Sequence, residues 1–369
     1  MDCGLLIMGF LDSLFGKKNK KRQFLWTYET NGAVFLVCFS PDGSLILVGS
    51  GEGGLYALDR SGKCLWSYQT QTDDAIVRGR FSADGSLIAV NSGDQKVYLF
   101  NRLGELQWSY KTDGRYGAPS TAISTDGSLV VTGSFDPGRL YLFNRSGELL
   151  WDRKLGTRIY SRHISLSADS SVIAASVDNL QGTTDAICLL SSSGELLWSH
   201  DTEQSCVTAM SLDGTLIAAH DGRRIYLFNR AGETLWSHKM GIASVVTDIC
   251  ISPDGSLIVG AISGIGQGRW KVFAYDRSGQ LLWSYETGAR FVRQISISGN
   301  NSLIAAATHN SSGKAYLFDR SGDLLWSHKL EESVVSICLS PDGSLLAMGS
   351  MDRKVYLLDV EEILLTREP

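Results

Sequence analysis

The sequence has few of the features that mark nucleic-acid-binding or disulfide-bonded proteins. Its 34 lysine and arginine residues are outnumbered by 39 aspartate and glutamate residues, which gives a net charge of −5. A general nucleic-acid binder is normally basic. Seven cysteines are present, but none forms a Cys-x-x-Cys pair, which argues against the usual zinc and disulfide patterns. We therefore expect reduced, buried cysteines in a cytoplasmic protein that does not bind nucleic acid.

Catalytic and metal-binding motifs are missing as well. The chain has no nucleophile elbow and no His-Glu-x-x-His motif, and the segment GIGQG at 264–268 lacks the βαβ unit that a phosphate-binding loop needs. His200, His238 and His328 each follow the dipeptide WS in separate copies of a repeat, so they do not gather round one metal ion. The sequence thus predicts a protein that is not an enzyme and that has no metal and no cofactor.

Residues 1–22, MDCGLLIMGFLDSLFGKKNKKR, differ from everything that follows. Their apolar run is interrupted by Asp12 and is too short to span a bilayer. Basic residues follow this run rather than precede it, which argues against a signal peptide. Two hypotheses remain open: a disordered tail, with Met8 as an alternative start, or a short amphipathic anchor that places residues 8–22 on an anionic membrane.

Residues 23–369 are built from a repeat of about 38 to 47 residues, the period of a β-propeller blade. Each copy has a turn of the type Ser-x-Asp-Gly-Ser and, apart from it, a tryptophan. The turn serines are Ser40, Ser82, Ser124, Ser167, Ser211, Ser252, Ser298 and Ser340. The tryptophans are Trp26, Trp66, Trp108, Trp151, Trp198, Trp236, Trp283 and Trp326.

The copy that starts at Ser333 shows how one repeat becomes four strands. It reads SVVSICLS, PDG, SLLAMGS, MDR and KVYLLD. The first piece is short and apolar, as expected for an inner strand covered on both faces. The tight turn and two further strands follow it. In other copies NRSGE forms the next turn, and LLWSY or LLWSH alternates apolar and polar residues, which is typical of an outer strand with one wet face.

The order of these pieces predicts an all-β fold, an eight-bladed β-propeller of four-stranded antiparallel blades. The first tryptophan-bearing strand, FLWTYET at 24–30, precedes any complete set, and the last set has lost its tryptophan. The N-terminal strand therefore completes the last blade and closes the ring. Closure removes the free edges that an open sheet would expose.

The repeat resembles two propeller families. The inner half, VVSICLSPDGSLLAMGSMDRKVYLLD, resembles WD-repeat proteins, although the Trp-Asp and Gly-His pairs are absent. The outer half, ALDRSGKCLW, resembles the tryptophan-docking repeat of quinoprotein-like (PQQ-type) propellers. The matching residues there are Ala57, Asp59, Gly62, Lys63 and Trp66. The quinoprotein resemblance implies eight blades. Its enzymes would also imply export, a calcium-assisted cofactor site and an adjacent cysteine pair, and this chain has no such pair and no convincing signal.

The repeated residues are interpreted as scaffold. On an outer strand, each tryptophan ring can lie against the neighbouring blade while its N–H donates to a backbone carbonyl. The alternative is a series of aromatic ligand platforms. Arginines of the NRSG turns and aspartates of the first turns fall on one face of a propeller, so we expect surface Arg–Asp pairs. A ring of arginines that binds an anion is the alternative.

Departures from the repeat are the candidate functional residues. They lie on the opposite face, in the loops that lead into each inner strand and in those between second and third strands. Two of the latter are long, at 177–187 and 262–272. The candidates for partner or ligand binding are Arg78, Arg115, Tyr116, Arg158, Tyr160, Arg162, His163, Asp248, Trp270, Arg290, Arg293 and Gln294.

Arginine and tyrosine around a channel mouth are typical of protein-binding hot spots. The sequence therefore predicts a non-enzymatic scaffold that binds a protein or peptide through the loop face around the central channel. The alternative is a small-molecule or cofactor-binding, quinoprotein-like propeller. Its ligand would sit at the channel mouth near Arg78, Arg162, His163 and Arg293.

Overall fold

The structure is a computed structural model that describes residues 24–114, 120–159, 164–180, 184–203, 206–241, 244–264, 270–288, 291–309 and 313–365. The N-terminal tail, residues 1–22, lies outside these ranges. The two hypotheses for it, a disordered tail and a membrane anchor, therefore stay predictions. Within the described ranges, 32 strands form eight four-stranded antiparallel sheets, which are the blades.

Blades 1 to 4 each begin with an inner strand and end with an outer one. Blade 1 contains β2 (Val34–Phe39), β3 (Leu45–Ser50), β4 (Gly54–Asp59) and β5 (Cys64–Gln69). Blade 2 contains β6 (Ile76–Phe81), β7 (Leu87–Ser92), β8 (Lys96–Asn101) and β9 (Leu106–Lys111). Blade 3 contains β10 (Thr121–Ile123), β11 (Leu129–Ser134), β12 (Gly138–Asn144) and β13 (Leu149–Gly156). Blade 4 contains β14 (Ser165–Leu166), β15 (Val172–Leu180), β16 (Thr184–Ser191) and β17 (Leu196–Thr202).

Blades 5 to 7 repeat this order. Blade 5 contains β18 (Val207–Met210), β19 (Leu216–His220), β20 (Arg224–Asn229) and β21 (Thr234–Lys239). Blade 6 contains β22 (Ser244–Ile251), β23 (Leu257–Gly264), β24 (Lys271–Asp276) and β25 (Leu281–Glu286). Blade 7 contains β26 (Val292–Ile297), β27 (Leu303–Thr308), β28 (Lys314–Asp319) and β29 (Leu324–Lys329).

Blade 8 is assembled from both ends of the chain. It contains β30 (Val334–Leu339), β31 (Leu345–Ser350) and β32 (Lys354–Asp359), and its outer strand is β1 (Trp26–Glu29). The β1 strand pairs antiparallel with β32 from Trp26 opposite Leu357 to Glu29 opposite Lys354. The inner strand of blade 1 contacts those of blades 2 and 8, so the ring is closed. The predicted fold and its closure by the N-terminal strand are confirmed.

The hydrophobic core lies between blades rather than inside one of them. Eight clusters of buried apolar residues each join two neighbouring blades. At the closing interface, Val37 and Ile46 of blade 1 pack with Ala347 and Leu357 of blade 8. A blade therefore cannot bury its apolar faces without both neighbours.

The turn between the first two strands of a blade is held by its own serine and aspartate, with Asn300 in place of the aspartate in blade 7. In blade 3 the backbone N–H of Leu129 donates to Ser124 Oγ at 2.9 Å, and Ser124 Oγ donates to Asp126 Oδ1 at 2.7 Å. Hydrogen bonds from the Ser128 backbone and from the hydroxyls of Ser124 and Ser128 lower the pKa of Asp126 to about 2. The carboxylate therefore stays ionised at neutral pH and fixes the turn.

Each outer-strand tryptophan docks on the next blade. The Nε1–H of Trp198 donates to the carbonyl oxygen of Arg230 at 3.0 Å, in the turn that joins β20 to β21. Gly232 of that turn has a φ of 87°, and a Cβ there would lie 2.8 Å from the Trp198 ring. Glycine is required at this position both by the left-handed backbone and by the close approach of the ring.

Arginine and aspartate side chains link the turns of neighbouring blades on one face, which we call the turn face. Arg102 Nη2 lies 2.7 Å from Asp42 Oδ2, and Arg230 Nη1 lies 3.1 Å from Asp169 Oδ2. The side chains of these pairs are between 33% and 55% exposed, so each pair contributes little. Between blades 7 and 8, Val360 and Asn300 replace both partners, and Asn300 Nδ2 donates to the carbonyl oxygen of Asp342 at 2.7 Å.

A short helix, α1 (Val360–Leu365), follows β32 where other blades have a turn and a tryptophan-bearing strand. Its Ile363 packs against the cluster between blades 7 and 8, beside Leu325 and Trp326. This helix was not predicted from the sequence. It covers Leu325, whose counterparts Leu65 and Leu197 are 48% exposed on other outer strands.

We expect Trp198→Ala to lower the free energy of unfolding by about 2–4 kcal/mol, because it removes a docked ring and leaves a cavity at the blade interface. Thermal and urea-induced unfolding measure the effect. The matched control is Leu197→Ala, which truncates the exposed neighbour and should change stability by less than about 0.5 kcal/mol. Equal stability of Trp198→Ala and the unchanged protein would contradict the docking role.

Candidate functional site: the loop face and the central channel

The candidate residues divide into a described and an undescribed half. Arg78, Arg158, Asp248, Trp270, Arg293 and Gln294 belong to the described ranges. Arg115, Tyr116, Tyr160, Arg162, His163 and Arg290 lie outside them. The face opposite the turn face, called the loop face, carries the connections that lead into each inner strand and those between second and third strands. The inner strands run from this face to the turn face and line the central channel.

Asp248 and Gln294 hold neighbouring blades together. Each is the fourth residue before a turn serine, the clasp position, and each accepts a hydrogen bond from the inner strand of the next blade. Asp248 Oδ2 accepts from the N–H of Ile295 at 2.8 Å, and Gln294 Oε1 from that of Ile337 at 3.3 Å. The same contact joins Ser336 to Val37 at 3.0 Å and Ser120 to Ile164 at 3.1 Å.

The clasp has a simple physical reason. An inner strand is the edge of its sheet, so every second N–H has no ladder partner and needs another acceptor. Asp248 is only 2% exposed, and a buried carboxylate is costly unless it is hydrogen-bonded. The structure therefore gives Asp248 and Gln294 a structural role, and their part in binding a partner stays a prediction.

The loop face is uneven because the strands have different lengths. In blade 4, β15 has 9 residues, and in blade 6, β22 and β23 have 8 residues each, against 6 in β3 and β7. Between them, β18 and β19 of blade 5 have only 4 and 5 residues. Two extra residues extend a strand by about 7 Å. Blade 5 is thus a low floor between two walls, a surface that we call the blade 5 saddle.

Two segments that were predicted to be loops form part of the strands that make these walls. Residues 177–187 and 262–272 were expected to be long connections, but residues 177–180 and 184–187 belong to β15 and β16, and residues 262–264 to β23. Their apolar and polar residues continue the hairpins of blades 4 and 6. A regular hairpin is stiffer than a loop, so the walls have a defined shape.

The floor of the saddle is the turn from His220 to Arg223. Asp221 is buried beneath it and accepts hydrogen bonds from the Tyr226 hydroxyl at 2.8 Å and from the Arg224 N–H at 2.7 Å. Above it, Arg223 lies 3.6 Å from Glu203, and both side chains are more than half exposed. The floor is rigid below and charged above.

The two walls differ chemically. On blade 4, a hydrogen bond from Asp185, burial and the Asp185 charge raise the pKa of Asp178 to about 6, while the charge of Arg158 acts in the opposite direction. On blade 6, Val245 is 47% exposed at the start of β22. One wall therefore carries a pair of neighbouring carboxyl groups, and the other carries an exposed apolar side chain.

Trp270, Arg158 and Arg293 make different contacts on the loop face. The Nε1–H of Trp270 donates to the carbonyl oxygen of Gly264 at 2.8 Å, which ties the base of the blade 6 hairpin. The Arg158 guanidinium lies 5.6 Å from the centre of the Phe135 ring, a cation–π distance. Burial and the charge of Arg293 lower the pKa of His309 in blade 7. These residues are thus spread over several blades.

The central channel holds a cavity of about 270 Å³ between the inner strands. Arg80 lines this cavity, and it is not among the residues predicted from the sequence. Arg80 is the second residue before a turn serine. The other seven residues at that register are small: Cys38, Ala122, Ser165, Ala209, Cys250, Ser296 and Cys338. Arg80 is thus the only charged residue among the eight at this register, which is the signal in the sequence that identifies it.

Two classes of feature are absent from the described residues. They contain no group of three or more His, Cys, Asp or Glu side chains arranged to hold a metal ion. They also contain no helix that is long and apolar enough to cross a membrane. The six described cysteines are all free, and Cys38, Cys188 and Cys206 are buried.

A family model described as outer membrane protein assembly factor BamB, of the PQQ-like repeat type, matches residues 20–158 and again residues 136–362. The chain belongs to this family. The quinoprotein-like resemblance of the tryptophan-bearing repeat is confirmed by this match. No curated protein matches the sequence.

Solved structures of low sequence identity share the fold. The computationally designed Ika8 protein is 16% identical, with 91% of this chain and 99% of that chain covered and a TM-score of 0.74. Sqt1 from Chaetomium thermophilum is 14% identical, with 91% and 98% covered and a TM-score of 0.75. The C-terminal WD40 domain of Sif2 is 12% identical, with 90% and 98% covered and a TM-score of 0.74. The WD-repeat resemblance is confirmed at the level of the fold.

We expect Asp248→Leu to lower the free energy of unfolding by about 1–3 kcal/mol, because the Ile295 N–H loses its buried acceptor. Asp248→Asn keeps an oxygen at the clasp position and should lose less than half as much. Urea denaturation of the two variants measures the difference. If both substitutions leave stability unchanged, the clasp does not hold blades 6 and 7 together.

Proposed function

We propose that the protein is a non-enzymatic scaffold that binds an extended segment of another protein across the blade 5 saddle of the loop face. The unequal strand lengths carry this proposal: strands of 9 and 8 residues in blades 4 and 6 stand on either side of strands of 4 and 5 residues in blade 5. The walls of this concave surface are already ordered before a peptide segment binds. The surface therefore loses little conformational entropy on binding.

The side chains of the saddle indicate the chemistry of that segment. Asp178 and Asp185 on blade 4 would pair with a basic side chain, and Val245 on blade 6 would contact an apolar one. Arg223 and Glu203 on the floor are both exposed and already paired with each other. These two charged side chains would determine how the bound segment is aligned and which segments are accepted, more than how tightly a segment binds. A segment with a basic residue and an apolar residue some distance apart therefore fits best.

The family supports a role in contact with other proteins, since its description names an assembly factor. The absence of a catalytic motif from the sequence favours a scaffold over an enzyme. Propellers host unrelated activities on one frame, so the shape of the saddle, and not the fold, supports this function.

The proposal is tested by comparing the proteins that co-purify with the tagged full-length chain and with two variants from the native host. Val245→Arg places a cation on the blade 6 wall, and Leu65→Arg places one on an outer strand. The two positions are matched, with exposures of 47% and 48%.

We expect Val245→Arg to reduce recovery of the specific partner at least about tenfold, which corresponds to 1.4 kcal/mol, whereas Leu65→Arg retains it. Circular dichroism and thermal unfolding establish that both variants fold. Full retention by Val245→Arg, or equal loss in both variants, would place the partner elsewhere.

A further inference from the structure

The guanidinium of Arg80 stands in the central channel without a partner from the described part of the chain. Arg80 is exposed to the cavity near the C-terminal end of β6. No described residue forms an ion pair or a hydrogen bond with its side chain. A cation in a cleft lined by protein attracts anions, so an anion there would be favoured.

Of the described residues that line the cavity with Arg80, one is acidic. Asp248 lines the same cavity, and its carboxylate accepts the Ile295 N–H at 2.8 Å. Burial raises the pKa of the Cys338 thiol and that of the Cys250 thiol. These thiols are therefore uncharged at neutral pH and add no negative charge to the channel.

One further backbone donor belongs to a residue that lines the same cavity. Val207 occupies the clasp position before blade 6, and its side chain has no oxygen to accept a hydrogen bond from the Ile249 N–H. Ile249 lines the cavity. Its N–H lies on the edge of the inner strand, where clasped blades use a side-chain acceptor. A ligand oxygen can take the place of that acceptor.

The rest of the lining limits the size and polarity of a ligand. Val37, Ile249, Ile295 and Ile337 make much of the wall apolar. The cavity of about 270 Å³ is slightly smaller than the roughly 300–1,000 Å³ of pockets for drug-sized ligands. It suits a small molecule with one charged end and a short apolar body.

We propose that the central channel is a binding site for a small monocarboxylate, with Arg80 as the residue that holds the carboxylate. The planar guanidinium can donate two parallel hydrogen bonds to the two carboxylate oxygens. A second negative charge is disfavoured, because the ionisable Asp248 lines the same small cavity. This site is separate from the blade 5 saddle and goes beyond the proposed function.

The experiment uses saturation-transfer difference NMR on the full chain, with 3-methylbutanoate as the probe. Its uncharged isostere 3-methylbutanamide and inorganic phosphate are the comparison ligands. Arg80→Ala is the test variant, because alanine already occupies the same register at Ala122 and Ala209, so the fold should accept it. Arg153→Ala, on the exposed outer strand β13, removes the same side chain away from the channel.

We expect the carboxylate to bind the unchanged protein and Arg153→Ala equally, and Arg80→Ala at least about tenfold more weakly. The amide should bind none of the three proteins measurably. Phosphate should bind more weakly than the carboxylate. The proposal is overturned if the carboxylate does not bind the unchanged protein at ~20 mM, well above the 1 mM scale of weak ligands. Equal binding to Arg80→Ala, or a preference for phosphate, would also overturn it. Loss of the co-purifying partner in Val245→Arg is a separate readout, so the two proposals can fail independently.

Discussion

The pairing of β1 with β32 is the contact on which the rest of the molecule depends. Four residues, Trp26 to Glu29, lie opposite Leu357 to Lys354. The pairing is continued by hydrogen bonds from the Leu25 N–H to Leu357 O and from the Thr30 N–H to Arg353 O, both at 2.8 Å. It joins the two ends of the propeller within one blade. Without it, blade 8 would lose its outer strand and its tryptophan, and the seam to blade 1 would open.

Closure gives the ring its shape. Contacts between neighbouring blades stabilise the ring at three distances from the central channel. At the outer edge a tryptophan such as Trp198 docks on a glycine turn. In the middle, a cluster of buried apolar residues joins each pair of blades. Beside the channel, clasp residues such as Asp248 bond the next inner strand. The channel and the saddle are consequences of this closed frame, because both are defined by the relative positions of several blades.

Much of the fold followed from the sequence because the repeat is regular. The spacing of the turn serines and tryptophans predicted eight blades, and the order of the pieces predicted that the strand at 24–30 closes the ring. These features depend on local pattern, which periodicity records directly. The helix Val360–Leu365 was not predicted, since it is a single departure with no second copy to compare.

The candidate site was harder to predict, because its features depend on neighbouring blades. The clasp position varies freely among the copies, yet Asp248 at this position accepts a hydrogen bond from a backbone N–H 47 residues later in the chain. Arg80 lies two residues after the clasp position, at a register where the other copies have only small residues, so its charge becomes evident only when that register is compared. Val360 replaces the arginine and Asn300 replaces the aspartate of one ion pair between turns. Because these two positions belong to different blades, only the contact between blades 7 and 8 shows that both partners of the same pair are replaced.

Two N-terminal truncations test the central claim most directly. One removes residues 1–22 and leaves β1 intact, and the other removes residues 1–30 and with them β1. Their thermal unfolding midpoints can be compared with that of the full chain. The account predicts an unchanged midpoint for the first truncation. It predicts for the second a midpoint lower by at least ~5 °C, since even 1 kcal/mol shifts the midpoint of a large domain by about 2–4 °C, or a chain that does not fold. Equal midpoints for both truncations would contradict it.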